Sequence, residues 1–332
     1  MKTMILAAGL GTRLRPLTDT IAKPMIPVVN KPVMEHVIEL LAGQGFRDLY
    51  ANIHYRADEI ADYFGNGKRW NVDLKYSHED VLFGTAGGLK RLESFFREDT
   101  FVVFSSDLLT NIDLKPIIAF HRKRRALATI ALTRVEEPSN YGVVKLDGSG
   151  RITAFQEKPS YHEAVSNLAS CGIYVFEPEI LDYIPAGDFY DFGTDLFPQL
   201  FSAGLPLYGY EHDNYWLDIG RIDNYQNGNF DALTGKISIQ VPGVNVADGI
   251  WVGSDTEIHD SAEITGPLCI GDNCLIQKNT RIVGPVVIGD NNVINEGTLL
   301  QQTIKMPNGH IDKNLNIVGG VIGESERIES SC

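Results

Sequence analysis

The sequence predicts an α/β domain, a mixed and mostly parallel sheet flanked by helices, followed by a short parallel β-helix. Three observations carry this. Apolar runs at residues 3–8, 49–53, 74–77, 101–105 and 128–135 alternate with helical apolar spacing at 33–41, 57–64, 85–96 and 117–123. Such alternation predicts parallel strands covered by helices on both faces. Next, aliphatic residues recur at every sixth position: Val252, Ile258, Ile264, Ile270, Ile276, Ile282, Ile288, Ile294 and Leu300. Neither a helix nor a single strand has that period, but each flat face of a three-sided coil does. Finally, Ile270-Gly271-Asp272-Asn273 and Ile288-Gly289-Asp290-Asn291 lie one coil apart.

The elements divide the chain into residues 1–235 and residues 245–332. Nine hexads make about three coils. The period slips after Leu300, the next candidates being Ile311 and Ile317, and a loop at Met306-Pro307-Asn308-Gly309 is expected to absorb the slip. The polar tail from Glu324 to Cys332 is expected to cap the coil or fray.

Composition bounds the chemistry. With 332 residues and 43% apolar content, the chain can bury a large core. A net charge of −14 disfavours nucleic acid and anionic membranes as partners, while leaving room for a local cationic patch. No apolar run reaches a membrane span, and the N-terminus lacks the order of a signal peptide. Four scattered cysteines (Cys171, Cys269, Cys274 and Cys332) suggest reduced thiols in a cytoplasmic protein.

The first apolar run ends in Gly9-Leu10-Gly11-Thr12-Arg13. A dinucleotide fingerprint needs a third glycine where Leu14 stands and an acidic residue about 20 positions later, where none occurs. A Walker loop fails because no Gly-Lys-Ser/Thr follows. What remains is either a tight turn or a glycine turn whose bare amides face phosphate oxygens, with Arg13, Arg15 and Lys23 close behind.

The run Leu6-Ala7-Ala8-Gly9-Leu10-Gly11-Thr12-Arg13-Leu14-Arg15-Pro16-Leu17-Thr18 is followed by Lys23-Pro24-Met25 and Asn30-Lys31-Pro32. Further on come Phe83-Gly84-Thr85-Ala86-Gly87-Gly88, Ser105-Ser106-Asp107, Tyr141-Gly142-Val143-Val144, Gln156-Glu157-Lys158-Pro159 and Trp216-Leu217-Asp218-Ile219-Gly220. Together, and in this order, they resemble the sugar-nucleotide pyrophosphorylases, which join a nucleoside triphosphate to a sugar 1-phosphate. The resemblance covers essentially the first 235 residues. The appended repeat resembles that of mannose-1-phosphate guanylyltransferase-like members. It implies a Rossmann-like nucleotidyltransferase fold with a left-handed β-helix and, through the β-helix, a homo-oligomer.

The implied reaction is attack of a sugar 1-phosphate oxygen on the α-phosphorus, with pyrophosphate leaving. Such chemistry is mostly positioning and charge neutralisation. Asp107 and Asp218 are hard oxygen donors suited to Mg²⁺, and the resemblance implies that the fold brings them together. It further implies that Arg13 steadies the leaving pyrophosphate and that Lys23 follows the α-phosphate. Lys158 would grip the sugar phosphate, Glu157 would accept from sugar hydroxyls and Gly142 would let the backbone approach. Glu157 and Lys158 can both serve only if the strand ends or bends there, which Pro159 favours.

The nucleotide would sit on backbone near Leu6 and Ala8, on the Gly9, Gly11 and Thr12 turn, and on Gly84 and Thr85. Glu79 is expected either at the base or in solvent. At the base its carboxylate would suit the two donors of guanine, which favours GTP with mannose 1-phosphate over UTP or dTTP with glucose 1-phosphate. Two departures stand out. Ala22 replaces the usual proline, and Ser170-Cys171-Gly172 replaces an Asn-containing triplet, which leaves the sugar open at Ser170. The rival readings are a hexapeptide acyltransferase using His259 or His310, and a regulatory subunit that binds sugar nucleotides without turnover.

Overall fold

The computed structural model describes residues 1–323 and 327–328. The expected cap or frayed end at 324–332 lies mostly outside these residues. Two compact units emerge. The first comprises Met1–Gly9 and Val37–Trp216, and the second comprises Leu10–His36 and the chain from Leu217 onward. The boundary expected between 235 and 245 therefore falls inside the second unit.

The first unit is built on a nine-stranded sheet. Its strands are β1 (Thr3–Leu6), β2 (Asp48–Ile53), β3 (Asp73–His78), β4 (Phe101–Ser105), β5 (Ala128–Arg134), β6 (Gly142–Leu146), β7 (Ile152–Glu157), β8 (Leu168–Phe176) and β9 (Leu207–Glu211). The order is β7-β6-β8-β4-β1-β2-β3, with β5 against β8 and β9 against β5. β1 pairs in parallel with β2 and β4, so Leu6 lies level with Asn52 and Ser105. β8 runs antiparallel to β4, β5 and β6.

The strands coincide with the apolar runs because β1, β2 and β4 are buried along almost their whole length. The helix expected over 85–96 is broken. It runs Gly84–Arg91, breaks at Leu92, and resumes over Glu93–Phe96. Phe96, Phe101, Phe176, Phe192 and Phe197 are all buried in the same core.

The second unit carries the β-helix, whose three faces are parallel ladders, one of them extended at each end by an antiparallel strand. Ile258, Ile276, Ile294 and Ile311 stack in one, and Ile264, Ile282, Leu300 and Ile317 in another. These residues fill the lumen, each buried side chain contributing about 1.5–3 kcal/mol. Corners recur once per coil in left-handed conformation at Asp255, Asn273, Asn291 and Asn308, where Asn and Asp are tolerated best.

Two expectations change here. The ladders continue past Leu300, so the strands complete a fourth coil rather than about three. The slip also occurs before the loop at 306–309. Leu300 still pairs with Ile282, but Ile304 already pairs with Val287, one residue short of a full coil. Gln302, at a φ of 49°, makes the shortened corner. The shift puts Lys305 level with Ile288 and Ile322. Lys305 is fully buried, and its Nζ donates to the carbonyls of Met306 (3.0 Å) and Gly323 (2.7 Å).

Candidate active site

In the first unit the end of β1 is pinned from the side. The Ala7 N–H donates to Asn52 Oδ1 at 3.0 Å, and Asn52 Nδ2 donates to Glu79 Oε1 at 2.8 Å. Glu79 Oε2 accepts the Phe83 N–H at 3.3 Å, and His54 Nδ1 lies 2.7 Å from the Glu79 carbonyl. Glu79 is 4% exposed. This corrects the solvent-facing alternative: Glu79 is turned inward, with its carboxylate holding the Asn52 amide and the Phe83 N–H. Burying Asn52 and the Phe83 amide without these acceptors would cost about 1–3 kcal/mol per group. Asn52 escaped the sequence reading, although an asparagine inside an otherwise apolar strand was the available signal.

Gly84 and Thr85 open the Gly84–Arg91 helix. Gly84 has a φ of 74°, and a Cβ there would lie 2.5 Å from the Tyr190 carbonyl. That carbonyl accepts the N–H groups of Ala86 and Gly87, both at 2.9 Å. Thr85 Oγ1 donates to Asp191 Oδ2 at 3.0 Å and accepts the Phe192 N–H at 2.8 Å. The Thr85 hydroxyl is thus held by residues 191–192, neither of which the sequence singled out.

Glu157, Lys158 and Gly142 lie together at the end of β7. β7 ends at Glu157, and Lys158 takes a left-handed φ of 44°, a bend that turns consecutive side chains the same way. Lys158 Nζ lies 3.6 Å from Glu157 Oε1. Gly142 is level with Glu157, and a Cβ on it would stand 2.7 Å from Glu157 Oε2. A Cβ on Gly193 would also collide with that carboxylate, so two glycines make its berth. Burial pushes the Glu157 carboxyl above its ordinary range, Lys158 draws it down, and Asp191 pushes it up. Ser170 Oγ donates to the Tyr174 hydroxyl at 3.3 Å, beside an irregularity in β8. Cys171 is fully buried and its thiol is pushed well up by burial, so it stays protonated. Asp107 follows β4 in a turn and is 9% exposed. Next to it, the Ser106 N–H donates to the Leu6 carbonyl at 3.1 Å.

In the second unit, Gly11 caps the Thr12–Leu14 turn at a φ of 66°. A Cβ on it would lie 2.8 Å from Thr18 Cγ2 and 3.1 Å from Lys23 Cβ. Thr18 Oγ1 donates to the Gly11 carbonyl at 2.8 Å. Arg13 is half-exposed, and its Nη2 lies 3.7 Å from Asp218 Oδ2. Gly220 makes room for both, since a Cβ there would come within 2.7 Å of Asp218 Oδ1 and 3.0 Å of Arg13 Nη2. Asn224 Nδ2 holds the Asp218 carbonyl at 2.9 Å. Asp107 belongs to the first unit and Asp218 to the second. Each is a largely buried hard-oxygen donor of the kind that Mg²⁺ takes from a protein. Among the described residues no cluster of three or more His, Cys, Asp or Glu could hold a metal by itself.

The sequence pattern of the nucleotidyl transferase family matches residues 2–235, and that of the bacterial transferase hexapeptide (six repeats) matches residues 270–302. The chain belongs to the nucleotidyl transferase family, among its sugar-1-phosphate members. It is 45% identical to a UTP–glucose-1-phosphate uridylyltransferase of Synechocystis sp., over 82% of this chain and 74% of that one. It is 32% identical to a mannose-1-phosphate guanylyltransferase of Mycobacterium tuberculosis, over 79% and 78%. A solved structure described as a glucose-1-phosphate thymidylyltransferase from Bacillus anthracis superposes with a TM-score of 0.65 at 26% identity, covering 72% of this chain and 97% of that one. The family match spans every candidate site residue named above in the two units, from Leu6 to Asn224. No helix of the described residues is long and apolar enough to cross a membrane.

Proposed function

We propose that the protein makes a nucleoside diphosphate sugar from UTP and glucose 1-phosphate. A phosphate oxygen of the sugar attacks the α-phosphorus, the bond to the bridging oxygen breaks, and pyrophosphate departs with the electron pair. Lys158 orients the attacking phosphate, and Glu157, seated in the berth that Gly142 and Gly193 leave, accepts from a sugar hydroxyl. Lys23 follows the α-phosphate as a point charge, while Arg13 and the amides around Gly11 and Thr12 neutralise the leaving pyrophosphate. Asp107 and Asp218 would hold Mg²⁺, which supplies charge neutralisation on the phosphates. Leu6, Ala8, Gly9, Gly84 and Thr85 line the nucleotide with backbone.

The observation that carries the choice of base is the Asn52–Glu79 pair. Glu79 is buried and its carboxylate is turned to the Asn52 amide and the Phe83 N–H, which disfavours it as a bidentate reader of guanine. The relative at 45% identity, named for UTP and glucose 1-phosphate, supports the same choice. The second reading is GTP with mannose 1-phosphate, favoured by several relatives named mannose-1-phosphate guanylyltransferases.

The test is a grid of UTP, dTTP, GTP, ATP and CTP against glucose and mannose 1-phosphates, reading pyrophosphate. The highest kcat/KM is expected for UTP with glucose 1-phosphate; a GTP optimum would overturn this reading in favour of the second. The reading also includes a catalytic region over 1–235, a β-helix over 245–332 that self-associates, and a reducing cytoplasmic setting that suits the free thiols of Cys171, Cys269 and Cys274. Sedimentation of the full chain beside a chain ending at 240 checks the self-association.

A further inference from the structure

The segment Leu10–His36 carries Gly11, Arg13 and Lys23, yet it packs with the β-helix in one unit. The contacts are specific. Pro27–Val28 and Lys31–Pro32 form a short hairpin whose tip is Val29 and Asn30. Both tip residues are left-handed, with φ of 42° and 63°. Asparagine accepts that conformation readily, but a β-branched valine does so only where its surroundings impose it.

Two tethers impose it. The Val29 N–H donates to Asn229 Oδ1 at 2.7 Å, and Asn229 Nδ2 donates to the Tyr225 carbonyl at 2.9 Å. Asn229 and Tyr225 lie on the Ile222–Leu233 helix, both fully buried, and the Tyr225 hydroxyl donates to Met306 Sδ of the β-helix at 3.3 Å. The second tether is direct. Asn30 Nδ2 donates to the Ile288 carbonyl at 2.8 Å and lies 3.5 Å from Cys269 Sγ. Ile288 is a rung of the solenoid, and its carbonyl also accepts the Gly271 N–H at 2.8 Å. The amide of Asn30 thus reads two successive coils at once.

The path from the hairpin tip to the phosphate cradle is short and packed. The Val33 N–H donates to the Ile26 carbonyl at 2.9 Å, closing the hairpin base. Ile26 follows the Lys23–Met25 turn directly, and the methylenes of Lys23 lie against Gly11. Leu14, Leu17, Ile26, Val28 and Val29 are all buried, so this stretch transmits a displacement rather than absorbing it.

We propose that Asn30, with Val29 held by Asn229, is a positioning residue for the triphosphate, and that the β-helix thereby serves catalysis by setting the pose of the 11–23 segment. This rests on the reading that the segment binds the nucleotide triphosphate.

The test uses the full-length chain. Asn30→Gly keeps the left-handed turn but removes the amide, and Asn30→Asp keeps the turn while replacing the donor by a carboxylate. In each variant KM for the nucleoside triphosphate should rise about five-fold, as loss of one net hydrogen bond implies, with KM for the sugar 1-phosphate unchanged. Amide exchange over residues 11–26 should quicken several-fold while that of β1, β2 and β4 stays as in the parent. Leu275→Ala, on an exposed position of another coil face, should change neither. Parent-like KM and exchange in the Asn30 variants would overturn the proposal while leaving the function intact. An equal rise in both KM values with a lowered Tm would reduce the tethers to general stability and overturn it as well. A parent protein that neither binds a nucleoside triphosphate nor releases pyrophosphate would overturn the functional reading itself.

Discussion

Asn52 donates its side-chain amide to Glu79 at 2.8 Å while its oxygen receives the Ala7 N–H at 3.0 Å, so one asparagine ties the end of β1 to Glu79. Asn52→Ala strands both partners in a buried setting. Stability should fall by about 1–3 kcal/mol, read by urea unfolding. On the proposed reading, in which Ala8 and Gly84 line the nucleotide, KM for the nucleotide should rise more than KM for the sugar 1-phosphate, because Ala7 and Phe83 adjoin them. A variant with parent stability and parent KM values would show the pair to be dispensable.

Glu157 titrates late because burial raises its pKa, with Lys158 opposing and Asp191 assisting. If its ionised form accepts the sugar hydroxyl, kcat/KM for the sugar 1-phosphate should climb with pH through a value above the ordinary glutamate range. Glu157→Gln should flatten that limb. The stability consequence has the opposite sign. A raised native pKa means the unfolded chain gives up this proton first, so the contribution of Glu157 is fullest below the unfolded pKa and declines as pH rises through the folded one.

Asp107→Asn and Asp218→Asn each keep shape and remove charge. Each should lower Mg²⁺-dependent pyrophosphate release by about a hundredfold or more, the scale seen when one preorganised electrostatic partner is removed. Circular dichroism should be unchanged. Asp218→Asn should in addition loosen Arg13, which lies 3.7 Å from its carboxylate. Full turnover in both variants would exclude them as metal ligands.

His36 is buried on the helix Val33–Gly43, and burial pushes its imidazole down to about 4, against the opposing pull of its bond to the Val28 carbonyl. The unfolded chain binds this proton near pH 6.5, so the histidine contributes stability above that pH and loses it as pH falls towards 4. The full loss is on the order of 3 kcal/mol. Unfolding free energies measured at pH 7.5, 6, 5 and 4 should drop more steeply for the parent than for His36→Gln. Parallel curves would remove His36 as the cause.

Local rules made much of this protein legible. Strand and helix positions in the first 135 residues follow from period and burial, because a strand covered on both faces must be apolar throughout. The six-residue period named the β-helix, since a coil with three flat faces repeats its inward side chain at that interval. The bend at Lys158 was readable from Pro159. Ordered motifs carried the family, as Gly11, Arg13, Asp107 and Asp218 stand where the matched family pattern runs.

What the sequence left open depends on contacts between residues far apart in it. Glu79 looked equally suited to a base or to solvent, and only Asn52 and the Phe83 amide decided its place. Nothing local told that Thr85 would spend its hydroxyl on Asp191 and Phe192, or that Gly193 would share the berth of Glu157 with Gly142. The shortened coil at Gln302 emerged only from cross-strand register, which put Lys305 where a methionine was due by period. The hairpin at Val29 and Asn30 reads as a simple turn, yet its partners are Asn229 and Ile288, about 200 or more residues away. Periodicity reports which face of an element is apolar. Which polar groups meet inside is a property of the packed chain, because each buried donor must find its acceptor there.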